Sequence, residues 1–256
     1  MIIDSHAHYD DDAFTEDREE LLRGLPEAGI EAVVNIGANI ERSRESIALS
    51  EQYAHVYATV GVHPDDIGEL SLEKIEELRE LAKHKKVVAI GEFGLDYSRE
   101  EHDKEIQKKW FQAQLELALE CNLPIVIHSR DAAKDTLEML KGPYGKGQRG
   151  IIHCYSYSVE VAREFLKLGY SFGIGGVATF KNAKKLKEAI AEIPLERIVL
   201  ETDCPYLAPT PYRGKRNDST YLPLIAEEIA TIKEIDVEMV IQVTTKNART
   251  IYQLNE

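Results

Sequence analysis

The chain has 256 residues, enough for one large α/β barrel or two small units, and its 43% hydrophobic and 30% charged content is that of a soluble globular protein. A net charge of -14 with histidine neutral excludes a protein that coats nucleic acid through a broad basic face, while leaving room for a small positive mouth on an acidic body. No apolar run approaches the ~18 residues of a membrane span, no secretory leader pattern opens the chain, and Cys121, Cys154 and Cys204 form no Cys-X-X-Cys pair, so a reduced, cytoplasmic setting is expected.

The chain opens with Met1-Ile2-Ile3, an apolar run typical of a buried strand, and leads into Asp4-Ser5-His6-Ala7-His8. Side chains alternate in an extended segment, so His6 and His8 share a face. Helical periodicity follows over residues 15–28, with Thr15 as the expected N-cap, acidic residues in the first turn and Gly29 past the end. Further strand signals occupy residues 32–37, 56–61, 87–91, 124–128, 150–153, 170–174 and 197–201. They are short, β-branched and almost continuously apolar, as strands of a parallel sheet buried on both faces should be. Amphipathic helices fill the intervals at 41–53, 72–84, 105–121, 132–141, 159–168 and 183–193, and two more, at 221–235 and 237–254, close the chain. In the 105–121 segment Ile106, Trp110, Leu117 and Cys121 recur at helical spacing, which predicts core packing. The Gly- and Lys-rich stretch 141–150 reads as a flexible surface loop.

Eight strands, each followed by a helix, predict one (β/α)8 TIM barrel over residues 1–256, with the active site at the C-terminal ends of the strands. A doubly wound open sheet is the alternative, but it would place a Gly-rich turn where His6-Ala7-His8 stands. The first strand ends in His6 and His8, the third in His63, the fourth in Glu92, the fifth in His128, the sixth in His153 and the eighth in Asp203. His55, His84 and His102 fall elsewhere and read as surface residues. Several imidazoles and two carboxylates on one rim exceed what one tetrahedral ion takes and suit two divalent ions. Glu92 is placed to bridge them, with His6, His8 and Asp203 on one ion and His128 and His153 on the other. Mg, Mn, Zn and Co are all compatible with this donor set, Mg least comfortably. Such a pair generates hydroxide near neutral pH, and Asp203 can orient it as general base.

Glu201 and Asp4 each lie two residues before a ligand and are expected to support the ligands by hydrogen bonds or to be structural. Cys154 and Cys204 directly follow ligands and should pack outward. Arg130 and the cluster Arg213, Lys215 and Arg216 sit beside the rim and suggest contact with phosphate.

Taken together, Asp4-Ser5-His6-Ala7-His8, Gly61-Val62-His63-Pro64, Ile90-Gly91-Glu92-Phe93-Gly94-Leu95-Asp96-Tyr97, Pro124-Ile125-Val126-Ile127-His128-Ser129-Arg130, Ile152-His153-Cys154-Tyr155-Ser156, Glu201-Thr202-Asp203-Cys204-Pro205-Tyr206-Leu207 and Arg213-Gly214-Lys215-Arg216-Asn217 resemble the TatD family of metal-dependent deoxyribonucleases, in the amidohydrolase-like barrel superfamily. The resemblance spans essentially the whole chain. It implies two divalent metals on His6, His8, Glu92, His128, His153 and Asp203. It places His63 and Arg130 near the scissile phosphate and implies hydrolysis of DNA phosphodiesters, often from a 3′ end. Substrate contacts are expected from His63, Arg130, Tyr155, Arg213, Lys215 and Arg216, and catalysis from Asp203, Glu92 and His63. Two departures fall on rim loops. Tyr157 replaces a glycine and is expected to narrow the mouth or stack on a base, and Asp218-Ser219 replaces Glu-Pro.

The leading expectation is therefore a two-metal phosphodiesterase acting on single-stranded DNA or DNA ends, as a monomer with no obligate protein partner and no membrane association. A D-aminoacyl-tRNA deacylase or small-molecule amidohydrolase with the same metals is the second. A non-enzymatic metal-binding scaffold is the third.

Overall fold

In the computed structural model, residues 1–99 and 103–254 are described; His102, expected at the surface, lies outside them. Eight parallel strands run in the order of the chain: β1 (Ile2–Ala7), β2 (Ile30–Asn35), β3 (Val56–Val60), β4 (Val87–Asp96), β5 (Ile125–Arg130), β6 (Gly150–Ile152), β7 (Ser171–Ile174) and β8 (Ile198–Leu200). A parallel bridge between Ala7 and Cys204 joins the first strand to the segment after the last. It is flanked by hydrogen bonds from Asp203 N–H to the His6 carbonyl and from His8 N–H to the Cys204 carbonyl, both 2.9 Å. The sheet is thereby drawn round into the expected TIM-like barrel.

The helices are α1 (Arg18–Gly24), α2 (Ile40–Gln52), α3 (Leu72–Leu81), α4 (Lys104–Cys121), α5 (Ala133–Lys141), α6 (Val159–Lys167), α7 (Lys184–Glu192), α8 (Leu222–Lys233) and α9 (Val237–Tyr252). One strand face packs with the helices in the main apolar core. The other face contributes Ile3, Val34, Ala89, Val126 and Val199 to a smaller cluster, which Ala248 and Tyr252 of α9 join. The Tyr252 hydroxyl donates to the Ser5 carbonyl at 2.8 Å, so this buried phenol has its partner.

Three local expectations are corrected, and residues 141–150 form a loop as expected. Thr15 does not cap a long helix. It closes a 3-10 turn at Asp12–Phe14, fixed by the buried Phe14, and α1 begins three residues later, with the Asp17 carboxylate drawn to Arg216 instead of to the helix N-terminus. The fourth strand runs on to Asp96, because Gly91 (φ 148°) and Gly94 (φ 152°) let β4 continue against β5. A Cβ on Gly94 would lie 1.9 Å from the His128 carbonyl oxygen, so only glycine permits this approach. Ile106 is exposed on α4, whereas Trp110 and Leu117 are buried as expected. The 141–150 stretch is a series of turns that Gln148 pins to the Leu115 and Tyr144 carbonyls.

Candidate active site

The strand ends bring seven of the expected residues to one mouth. The His6 and His8 Nε2 atoms are 3.2 Å apart, and Asp203 Oδ1 lies 3.5 and 3.4 Å from them respectively. Glu92 Oε2 is 3.3 Å from His6 Nε2. Donors bound tetrahedrally at 2.0–2.1 Å lie about 3.4 Å apart, so these side chains fit a divalent cation without rearrangement. The second Glu92 oxygen, Oε1, faces the other way, 2.8 Å from His128 Nδ1, 3.0 Å from His153 Nε2 and 3.7 Å from His63 Nε2. Among the described residues three overlapping groups could hold a metal ion, His6–His8–Asp203, His6–His153–Glu201 and His63–Glu92–His128, with Glu92 reaching toward the first through its other oxygen.

Each donor is aimed by the backbone behind it. Asp203 adopts φ 57°, a left-handed conformation that aspartate tolerates better than most residues, and this turns its carboxylate toward β1. Glu92 is carried by β4 and is almost wholly buried. Burial opposes its ionisation, yet the surrounding His153, His128 and His6 hold its carboxyl well below the usual range. Burial likewise opposes the charge on Asp203, and His8 overrides it, keeping that group low as well. Ionised carboxylates and imidazoles thus stand side by side, the mixed oxygen and nitrogen donor set that a divalent cation requires.

Further carboxylates stand behind the imidazoles. Asp96 Oδ2 is 3.0 Å from His128 Nε2, while Asp96 Oδ1 accepts from the Ser98 N–H (2.8 Å) and hydroxyl (2.5 Å). His128 is thus held between two carboxylates: burial opposes its charge, but Asp96 and Glu92 raise its pKa, and Asp96 is placed to keep a proton on Nε2 when a cation takes Nδ1. Sequence reasoning quoted Asp96 without assigning it a role, although its even spacing from Glu92 along a strand was the available signal. Glu201 Oε1 accepts from the Cys154 N–H at 2.6 Å and lies 3.4 Å from His153 Nδ1. Its carboxylate occupies the space a Cβ on Gly173 would fill, 1.9 Å from Oε2. Asp4 Oδ1 accepts from the His6 backbone N–H at 3.3 Å and does not touch the ligand imidazoles. It accepts from Thr202 and Ser219 hydroxyls at 2.7 and 2.6 Å and so anchors the segment after β8. Ser219, one of the two departures, is part of that anchor, and Asp218 caps the adjoining 3-10 turn at Thr220 N–H. Cys204 is buried and Cys154 half-buried; burial pushes the Cys154 thiol up to about 12 and the Cys204 thiol well above its ordinary value, as packing residues.

The mouth is a cavity of about 710 Å³. Arg130 lines it, as do Arg42, Arg99 and Tyr206, none of which was singled out from the sequence as part of the site. The 213–216 cluster does not line it. The Arg213 guanidinium lies 4.3 Å over the Phe180 ring, and Arg216 pairs with Asp17 and reaches the Ala13 carbonyl; Lys215 is exposed outside the cavity. Tyr155 is also corrected as a substrate contact: it is buried against Phe172, with its hydroxyl donating to the Ser158 carbonyl. Tyr157 neither lines the mouth nor offers a free ring edge there. Its hydroxyl bonds Ser129 Oγ at 3.0 Å and accepts from Ala132 N–H, tying two rim loops together.

Comparison with known proteins places this geometry. Residues 3–253 match the family model described as TatD related DNase. The chain is 42% identical to the uncharacterized metal-dependent hydrolase YabD of Bacillus subtilis, over the full length of both. It is 35% identical to the 3′-5′ ssDNA/RNA exonuclease TatD of Salmonella typhimurium, covering 94% of this chain and 95% of that one. Among solved structures, the TatD homologue YJJV of Escherichia coli superposes with a TM-score of 0.93 at 29% identity, covering 99% of this chain and 98% of the other. With the family model matching nearly the whole chain and relatives matched end to end, the chain belongs to the TatD family of metal-dependent hydrolases.

Proposed function

We propose that this hydrolase cleaves phosphodiester bonds of single-stranded nucleic acid or DNA ends, with 3′-5′ exonuclease action. The observation that carries the reading is Arg130. It lines the mouth, and among the described residues there it is the guanidinium with no carboxylate partner, whereas Arg42 pairs with Glu45 and Arg99 with Asp65. An unpaired guanidinium beside a cation site is suited to a phosphate and has no equivalent task on an uncharged ester or amide. The Salmonella relative, named for single-stranded substrates, supports the same choice.

In this reading His6, His8, Glu92 and Asp203 hold one divalent cation, and Glu92, His128 and His153 a second. Such ions, when bound, polarise a phosphoryl group and acidify water. Asp203 takes the proton of the attacking water. Arg130 and His63 hold the phosphate so that its leaving oxygen faces away from Asp203, and Asp96 and Glu201 keep the imidazoles oriented. Sequestering the phosphate in a recessed mouth favours a flexible single strand over a duplex.

The test uses 3′- and 5′-labelled single-stranded DNA and RNA with protein stripped of metal and reloaded separately with Mg, Mn or Zn. Stepwise loss from the 3′ end, abolished by Asp203→Asn and weakened through KM by Arg130→Gln, is expected. No cleavage with any metal would refute the phosphodiesterase reading and direct attention to carbonyl substrates such as D-aminoacyl-tRNA.

A further inference from the structure

Tyr206 is the side chain of the mouth for which metal chemistry has no use. It is 55% exposed, far more than a tyrosine needs for solubility, and it is the one phenol ring among the described residues lining a cavity otherwise made of charged, amide and imidazole groups and Ala38. Its backbone is fixed on both sides. The Tyr206 N–H donates to the Asp203 carbonyl at 2.9 Å, and its carbonyl accepts from the side chain of the buried Asn217 at 2.8 Å. Asn217 also holds the Thr202 carbonyl at 2.8 Å, so the ring is indexed to the segment that carries Asp203. At its far end the hydroxyl donates to Asp11 Oδ2 at 3.0 Å. A ring held at its backbone and at its hydroxyl, and exposed in the mouth that also holds the unpaired Arg130 guanidinium, offers a preformed flat apolar surface in that cavity.

Resting on the nucleic-acid reading above, we infer that Tyr206 is a stacking platform for one nucleobase of the bound strand. Arg130 takes backbone charge, and Tyr206 takes a base through its π-face, which serves any base and so confers no sequence preference. The ring is pre-ordered, so binding does not have to immobilise it. The competing role is a clasp: the Tyr206–Asp11 hydrogen bond joins the loop after β1 to the loop after β8. The two roles separate cleanly, because the clasp needs the hydroxyl and the platform needs the ring.

The test measures binding of fluorescein-labelled decathymidylate and of an abasic decamer of equal charge by anisotropy. It uses metal-loaded protein carrying Asp203→Asn to prevent turnover. Adding Tyr206→Ala weakens decathymidylate binding between about 5- and 150-fold, the range of one base–aromatic stack, and leaves the abasic strand unchanged. Tyr206→Phe binds decathymidylate as the parent does. Equal losses on both strands, no loss, or a Tyr206→Phe variant as weak as Tyr206→Ala would each overturn the platform. Cleavage of the same labelled strand by the chain without Asp203→Asn is scored separately. Cleavage together with ring-independent binding removes only the platform, ring-dependent binding without cleavage removes only the phosphodiesterase reading, and no binding by the parent removes both.

Discussion

Replacing Asp96 by asparagine changes one atom in size very little and reverses what His128 is asked to do. The carboxylate accepts from His128 Nε2 at 3.0 Å, so that when a cation displaces the proton between Nδ1 and Glu92, 2.8 Å apart, the remaining imidazole proton stays on Nε2 and Nδ1 is free to coordinate. In Asp96→Asn, the Oδ1 position is still wanted by two donors of Ser98, so the new amide nitrogen is the group turned toward His128. An N–H facing Nε2 requires an unprotonated Nε2, and the neutral ring then carries its proton on Nδ1, where it blocks coordination. Loss of a carboxylate behind a ligating histidine lowers metal affinity about 10- to 100-fold, or ~1.4–2.8 kcal/mol. The expected result is a competitive chelator titration in which binding of the cation that His128 would hold weakens by that factor. The metal-free melting temperature should also fall near neutral pH, because the His128 pairing that holds the Asp96 carboxyl well below its usual range is lost, although the backbone clamp between Asp96 and Gln107 survives. Unchanged metal affinity, with a normal fold, would refute the tautomer argument.

Other outcomes follow from the same coordinates. Gly173→Ala should destabilise the protein by about 1–3 kcal/mol in chemical denaturation, because a methyl group would meet the Glu201 carboxylate at 1.9 Å; a loss under about 0.5 kcal/mol would show that Glu201 relocates freely. Stripping metal from protein held at roughly 100 times the dissociation constant should remove ~2.7 kcal/mol, seen as a fall in Tm of about 5–10 °C by calorimetry. His55 donates from Nε2 to the Leu22 carbonyl at 2.9 Å, and its pKa is lowered chiefly by burial. The unfolded chain therefore binds this proton more readily, so its contribution to stability is complete above about pH 6.5 and is lost as pH falls from there through the folded pKa. Melting curves of wild type and His55→Gln should differ in slope over that interval by less than ~1.4 kcal/mol per pH unit, and an NMR titration of His55 centred above 6.5 would contradict the sign.

What could be read from the sequence divides by the range of the interactions involved. The strands were legible because a parallel strand buried on both faces must be apolar throughout, and residues such as Val33, Ala58, Ile90 and Ile127 declare that burial without reference to anything distant. The donors were legible because they stand where those runs stop. The length of β4 was hidden by Gly91 and Gly94, which read locally as breaks yet serve a close approach to β5 that only the assembled sheet reveals. Thr15 likewise looked like a cap until Phe14 and Asp17 were claimed by distant partners. Cations posed the hardest case. Arg213, Lys215 and Arg216 are adjacent in sequence and so conspicuous, but Phe180 and Asp17 occupy two of them; the guanidiniums that line the mouth, Arg42, Arg99 and Arg130, come from three separate segments.

The seam between the first strand and the segment after the last has a bearing on how the protein matures. Glu92, His128, His153 and His63 belong to consecutive strands in the middle of the chain, so their side of the centre can assemble while synthesis is still under way. His6 and His8 emerge first and must wait, because their partner Asp203 is delivered only when the Ala7–Cys204 bridge forms. A nascent chain halted before β8 therefore offers a half-built cage, and full metal uptake reports ring closure rather than collapse. A cation bound by His6, His8 and Asp203 would therefore hold together the two ends of the barrel, a contact of long sequence separation.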